Sequence, residues 1–266
     1  MTANHDEFPG FQISRSRTGW RSCHARSRDG APLAFALFDG FSIQLPRSPN
    51  MPIRFYFDFI SPFAYLAWKA LPRLETELGK PCEPVPILLA ALLNHHGHKG
   101  PAEIPPKRVY IFKQCLRIAA REDLHLSPPA AHPFNPLLGL RIATLPDLTA
   151  NERHRLIDVL FDATWGPGDG IDSREKVEVA LKKAGFESER LIEQATADEN
   201  KARLQAATEK AITAGVFGVP SIAVGDEIFW GHDALPDVMR FVRGEDPVTD
   251  SDLARWKDLP EGARRQ

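Results

Sequence analysis

Ser61 stands directly before Pro62, just past the β-branched and aromatic run Ile53 to Phe57. Serine is favoured as a helix N-cap and proline at the first helical position, so the pair reads as a strand running into a helix. A hydroxyl there lies at the positive end of the helix dipole, beside backbone N–H groups with no partner inside the helix. Such a place suits an anion, and a thiolate set there is favoured over its thiol. Each unit by which the thiol pKa falls requires about 1.4 kcal/mol of differential interaction. A charge-assisted O–H···S bond and the helix end together supply roughly one to three such units. The plainer reading is that Ser61 only caps its helix. The chain has three cysteines and no Cys-x-x-Cys, so the site reads as built to hold a sulfur from another molecule.

Three further segments carry polar chemistry. In Gly218-Val219-Pro220-Ser221, a cis Val219-Pro220 bond would present the Val219 N–H and C=O as an open strand edge for a peptide-like ligand. A trans proline in an ordinary turn is the plainer reading. In Phe229-Trp230-Gly231-His232-Asp233, a helix start beside the Asp233 carboxylate matches a zwitterionic α-amino acid group; the alternative is that Asp233 is simply an N-cap. His95-His96-Gly97-His98-Lys99 clusters three histidines, but no cysteine or paired acid completes a tetrahedral metal set. Lys99 reads better as a cation reaching an anionic ligand.

The elements that must place these residues run strand–helix–strand, then a long helical block, then strand–strand–helix. Ile53 to Phe57 opens the order, a helix follows Pro62 with a kink expected at Pro72, and Glu83 to Leu89 is an edge or irregular strand because of Pro84 and Pro86. Helices are expected over Pro106 to Glu122 (with Val109, Phe112, Leu116 and Ala120 as its apolar positions), Leu137 to Leu145, Asn151 to Thr164 capped by Thr149, Arg174 to Ala184, Glu189 to Ala195 and Asp198 to Ala214. Ser221 to Val224 and Glu227 to Trp230 flank a Gly225-Asp226 turn, and Asp233 is expected to cap a last helix through Val242. The fold class is α/β, a split core with an all-helical insertion. The domains are 51–91 with 216–244 as the core, 92–215 as the insertion, 1–50 as a weakly ordered extension and 245–266 as a polar tail. All 11 lysines lie after Met51, whereas the leader holds six arginines, so Met51 reads as the natural start, with an organelle-targeting leader as the alternative. A net charge of −2 offers no field for nucleic acid or anionic membrane. Isolated cysteines point to a reducing, cytoplasmic setting, and no apolar run is long enough for a membrane helix.

From Met51 to about Gly244 the chain resembles the 2-hydroxychromene-2-carboxylate isomerases, close kin of kappa-class glutathione transferases. The matching residues are Asp58 to Ala67, Gly97-His98-Lys99, Pro106 to Tyr110, Arg117-Ile118-Ala119, His132 to Pro136, Ala163-Thr164-Trp165, Gly218 to Ser221 and Phe229 to Asp233. The resemblance implies a thioredoxin-like core, a homodimer, glutathione as cofactor and a small aromatic substrate. It implies that Ser61 holds the glutathione sulfur, that Val219 and Pro220 pair with its cysteinyl unit, and that Trp230, Gly231, His232 and Asp233 lie by its γ-glutamyl group. His98, Lys99 and Tyr110 would meet the substrate. His98 replaces an asparagine frequent in the family, and His232 a serine or glutamine. A kappa-like transferase or peroxidase, and a non-catalytic thioredoxin-like binding module, are the alternatives. A disulfide oxidoreductase is disfavoured, because Ser61 cannot form a mixed disulfide and Ala64 cannot resolve one.

Overall fold

A computed structural model describes residues 12–15, 21–26, 32–36, 51–260 and 262. The chain divides into two compact units, Met1–Ser48 and Pro49–Gln266. In the first, β1 (Gln12–Arg15), β2 (Arg21–Arg26) and β3 (Pro32–Ala36) pair antiparallel in that order. The rest of the segment expected to be a weakly ordered extension lies outside the described residues.

The second unit is a thioredoxin-like α/β fold built on a four-stranded mixed sheet. Its strands are β4 (Ile53–Phe57), β5 (Cys82–Pro86), β6 (Ser221–Val224) and β7 (Glu227–Trp230), in the order β5-β4-β6-β7. β4 runs parallel to β5 and antiparallel to β6, and β6 is antiparallel to β7. β5 is an edge strand, where Pro84 and Pro86 need no partner for the N–H they lack. It begins and ends earlier than the expected Glu83 to Leu89. β4 is central, and apart from Arg54 its residues are buried. Phe55 and Phe57 join the larger core, while Tyr56 points to a smaller one with Ile87, Leu92, Val216, Val219 and Ala223.

Helix α1 (Pro62–Leu78) follows β4, and α2 (Leu89–His95) follows β5. The insertion then supplies α3 (Pro105–Arg121), α4 (Leu137–Ala143), α5 (Ala150–Trp165), α6 (Arg174–Lys183), α7 (Ser188–Thr196) and α8 (Asp198–Thr213). After β7 come α9 (Leu235–Val242) and α10 (Asp250–Lys257). The caps follow the sequence closely. Thr149 and Glu152 form a capping box on α5, and Ser173 caps α6.

α1 runs through Pro72 to Leu78 as one helix; Pro72 lies on the exposed face, while Leu71 and Leu74 stay buried. Two expectations change. The inward face of α3 is rotated from the expected one: of the expected positions Phe112 packs against the core, but Val109, Leu116 and Ala120 are exposed, and Cys115, Ile118 and Ala119 are buried instead. α1 is among the elements it packs against. Asp233 does not cap the last helix; it sits inside a 3₁₀ turn, His232–Ala234, and Ala234 is the N-cap of α9.

The insertion and the core share one hydrophobic interior. The Phe161 ring of α5 lies 5.5 Å from Phe57, 4.8 Å from Phe59 and 6.0 Å from Trp68. Lys69 of α1 bridges Asp158 at 2.6 Å and Asp162 at 2.9 Å on α5. Phe161→Ala is therefore expected to cost about 3–5 kcal/mol, as large-to-small changes in filled cores do. Chemical denaturation checks it, and a loss below about 1 kcal/mol would mean the two parts do not share a core.

Candidate functional site

Between β4 and α1 the chain makes a tight turn, Asp58-Phe59-Ile60-Ser61. Ser61 is the N-cap of α1, and its hydroxyl oxygen accepts from Ala64 N–H at 3.2 Å. The proton on that hydroxyl has no acceptor among the described residues. Pro62 has no N–H, and the Phe63 N–H is likewise unpartnered, as expected in the first turn of a helix. The mouth of α1 thus offers two uncommitted donors and the positive end of a 17-residue helix. Ser61 is 7 % exposed, so these donors act where water is scarce.

Sheet register brings the distant segments to this point. Tyr56 pairs with Ser221, and Ser221 pairs with Trp230, so Pro220 and Gly231 flank the end of β4 from which Ser61 departs. The Val219-Pro220 bond is cis, not the trans bond of the plainer reading. Among the described residues nothing bonds the Val219 N–H or C=O, whereas Pro220 C=O accepts from Gly231 N–H at 2.9 Å. Trp230 lies over Gly218 so closely that a Cβ there would come within 2.6 Å of the indole nitrogen. The indole is 57 % exposed and packs on Phe217 at 5.3 Å. Gly231, at φ 104, lets the chain leave β7 for the 3₁₀ turn.

The other candidates divide. Asp233 is exposed, and its side chain has no bonded partner among the described residues. His232 instead is buried, and its Nε2 lies 3.0 Å from Oε1 of Glu122 at the end of α3. It ties the 230–233 segment to the insertion rather than standing open. His98 and Lys99 follow α2 and are exposed; Tyr110 projects from α3, 61 % exposed. None of their side chains bonds to the Ser61 turn among the described residues.

Three residues of the site are absent from the sequence-based candidates. Asp58, 1 % exposed, accepts from Ile60 N–H at 3.0 Å and from Leu89 N–H at 2.9 Å. Burial pushes its carboxyl up to about 7, and the two N–H groups pull it only part of the way back. Trp165 Nε1 donates to Phe59 C=O at 2.8 Å, and His132 Nε2 donates to Ile60 C=O at 2.9 Å. Burial, with Arg108 nearby, holds the His132 imidazole below its usual pKa, so it stays neutral. All three lie inside motifs that carry the resemblance, but residue type gave no role for them. Cys82 and Cys115 are buried free thiols pushed up to about 12 by desolvation, so neither offers a thiolate of the chain's own. No helix among the described residues is long and apolar enough to cross a membrane.

A family model for the DSBA-like thioredoxin domain matches residues 52–242. The chain is 32% identical to a 2-hydroxychromene-2-carboxylate isomerase of Sphingobium xenophagum, over 69% of this chain and 93% of that protein. It is 25% identical to glutathione S-transferase kappa 1 of Caenorhabditis elegans, over 76% of this chain and 96% of that one. A solved 2-hydroxychromene-2-carboxylate isomerase superposes with a TM-score of 0.65 at 26% identity, covering 78% of this chain and 96% of that one. The chain belongs to the DSBA-like thioredoxin domain family, beside the 2-hydroxychromene-2-carboxylate isomerases, with kappa-class transferases as further relatives.

Asp58 gives the fold a pH signature. Its ordinary pKa is 3.8 and its folded one about 7, so between those values the folded chain keeps a proton that the unfolded chain has released. Stability from this group is full below about pH 4, falls as pH rises, and is lost above 7, by on the order of 4 kcal/mol. Denaturant unfolding of the wild type and Asp58→Asn from pH 4 to 8 is expected to show that slope only in the wild type. Asparagine removes an acceptor and so lowers the whole curve; parallel curves would exclude the shift.

Proposed function

We propose that this member of the family is a glutathione-dependent isomerase of the 2-hydroxychromene-2-carboxylate type, acting in the degradation of aromatic compounds. One observation carries the reading. At one end of the sheet, a helix-capping hydroxyl with an uncommitted proton stands near a Val219 peptide edge that nothing among the described residues occupies. A tripeptide with a central cysteine fits both, sulfur to Ser61 and cysteinyl backbone to Val219.

Glutathione, held by Ser61 and the Val219-Pro220 edge, would supply a nucleophilic thiolate for reversible addition to a conjugated hydroxychromene acid, the product of the proposed isomerisation being trans-o-hydroxybenzylidenepyruvate. The chain's own residues do the rest by placement and charge. Ser61 donates its hydroxyl proton in a hydrogen bond to the sulfur, and the Phe63 N–H and the end of α1 add to the same positive field. Both favour the ionised sulfur at neutral pH. Val219 and Pro220 hold the cysteinyl unit in register. Trp230 and Gly231 line the γ-glutamyl end, and the unpaired Asp233 carboxylate receives its ammonium. His232 serves that end from below, by holding the segment to Glu122. Lys99 offers a cation to the substrate carboxylate, with His98 and Tyr110 beside it. The reading includes a homodimer in the cytoplasm, with neither nucleic acid nor membrane as partner.

Purified protein is expected to isomerise hydroxychromene carboxylate only with glutathione present, and Ser61→Ala to lower kcat on the order of 100-fold or more. Unchanged turnover in Ser61→Ala would remove the role given to the hydroxyl. In calorimetry, Asp233→Ala is expected to weaken glutathione binding about tenfold, as loss of one charge-assisted bond does. A kappa-like transferase would instead consume model electrophiles or peroxides without isomerising the chromene, and a binding module would turn over neither.

A further inference from the structure

Two peptide planes lead into Ser61, and each is held at both ends. In the plane between Phe59 and Ile60, the C=O accepts from Trp165 Nε1 at 2.8 Å and the N–H donates to Asp58 Oδ1 at 3.0 Å. In the plane between Ile60 and Ser61, the C=O accepts from His132 Nε2 at 2.9 Å and the N–H donates to the Asp58 C=O at 3.1 Å. A carbonyl can only accept, so His132 carries its proton on Nε2. Its Nδ1 is buried without a partner among the described residues, the imidazole being ringed by Phe112, Trp165 and Phe134 with ring centroids 5.4, 5.5 and 6.5 Å away. A buried polar atom left unpaired is costly, and it is tolerated here while the other nitrogen is committed to the turn.

The two long-range pins share an origin. His132 comes from the loop between α3 and α4, and Trp165 is the last residue of α5, so both belong to the helical insertion. Capping α1 needs neither, because the Ser61–Ala64 bond is local. The pins fix orientation instead. If either plane turned over, a carbonyl oxygen would swing from its pin and an N–H would be stranded. Either change redirects the Ser61 hydroxyl and alters the field at the helix mouth.

We propose that His132 and Trp165 are positioning residues through which the helical insertion fixes the Ser61 hydroxyl, so that the insertion sets how strongly a bound sulfur is held as thiolate without touching it. This rests on the reading of Ser61 as the sulfur's hydrogen-bond donor. The pinning of the turn can be measured whether or not that reading holds.

The test uses the full chain with His132→Gln, His132→Leu and Trp165→Phe. Glutamine places an amide N–H where His132 has Nε2–H; leucine and phenylalanine remove the donors. In the free protein, amide exchange at Ile60 and Ser61 is expected to quicken about threefold to tenfold in His132→Leu and Trp165→Phe, and to stay near wild type in His132→Gln. With glutathione, the thiolate absorbance is expected to appear at higher pH in the two donor-less variants. Their kcat falls about threefold to tenfold while the KM for glutathione changes little. If His132→Gln behaves like His132→Leu, or if exchange at the turn is unmoved in both donor-less variants, the proposal is overturned. Should Trp165→Phe fail to fold, the His132 pair decides alone. Failure of the wild type to bind glutathione would sink the functional reading and the thiolate role with it; exchange at Ile60 and Ser61 would still decide the pinning.

Discussion

A carboxylate almost without water holds the site end of the sheet together. Asp58 accepts one bond inside its own turn and another from Leu89 N–H at the start of α2. Leu88, the N-cap of α2, has no side chain able to accept. Asp58 therefore caps a neighbouring helix from across the strand ends and joins the first two strand–helix units. Leaving either N–H unpaired would cost about 1–3 kcal/mol. The protonation state of this one group is the price of that arrangement, since burial works against its charge.

Much of the core was legible because its signals are local. Ser-Pro after an apolar strand marked the start of α1, Gly225-Asp226 the β6–β7 turn, and Thr149 the start of α5. Whatever depended on a distant neighbour was not legible. The buried face of α3 was misread because an amphipathic pattern shows that two faces differ, while only the packing partner decides which turns inward. Asp233 looks like a cap by residue type, but Gly231 diverts the chain into a 3₁₀ turn first. His132 and Trp165 stood in plain view within recognised motifs. Their role is invisible without knowing that two carbonyls far away in sequence face them.

The candidate site is split between core and insertion. Strand register in the core gathers Ser61, Val219, Pro220, Trp230 and Gly231 with no help from the helices. The insertion then grips that assembly at three places: His132 and Trp165 on the turn, and Glu122 on His232. This division suits a fold in which the strands fix position coarsely and buried polar side chains refine it. It also explains why Phe161, lodged among core aromatics, matters to both halves.

Cys82 and Cys115 are both free and both buried, and desolvation raises each thiol to about 12. At neutral pH their nucleophilic form is almost unpopulated. A protein that presents someone else's sulfur to reactive double bonds would otherwise risk being alkylated by its own substrates. Under the proposed reading, sealing these two side chains away would leave the borrowed thiolate a better target than either of them.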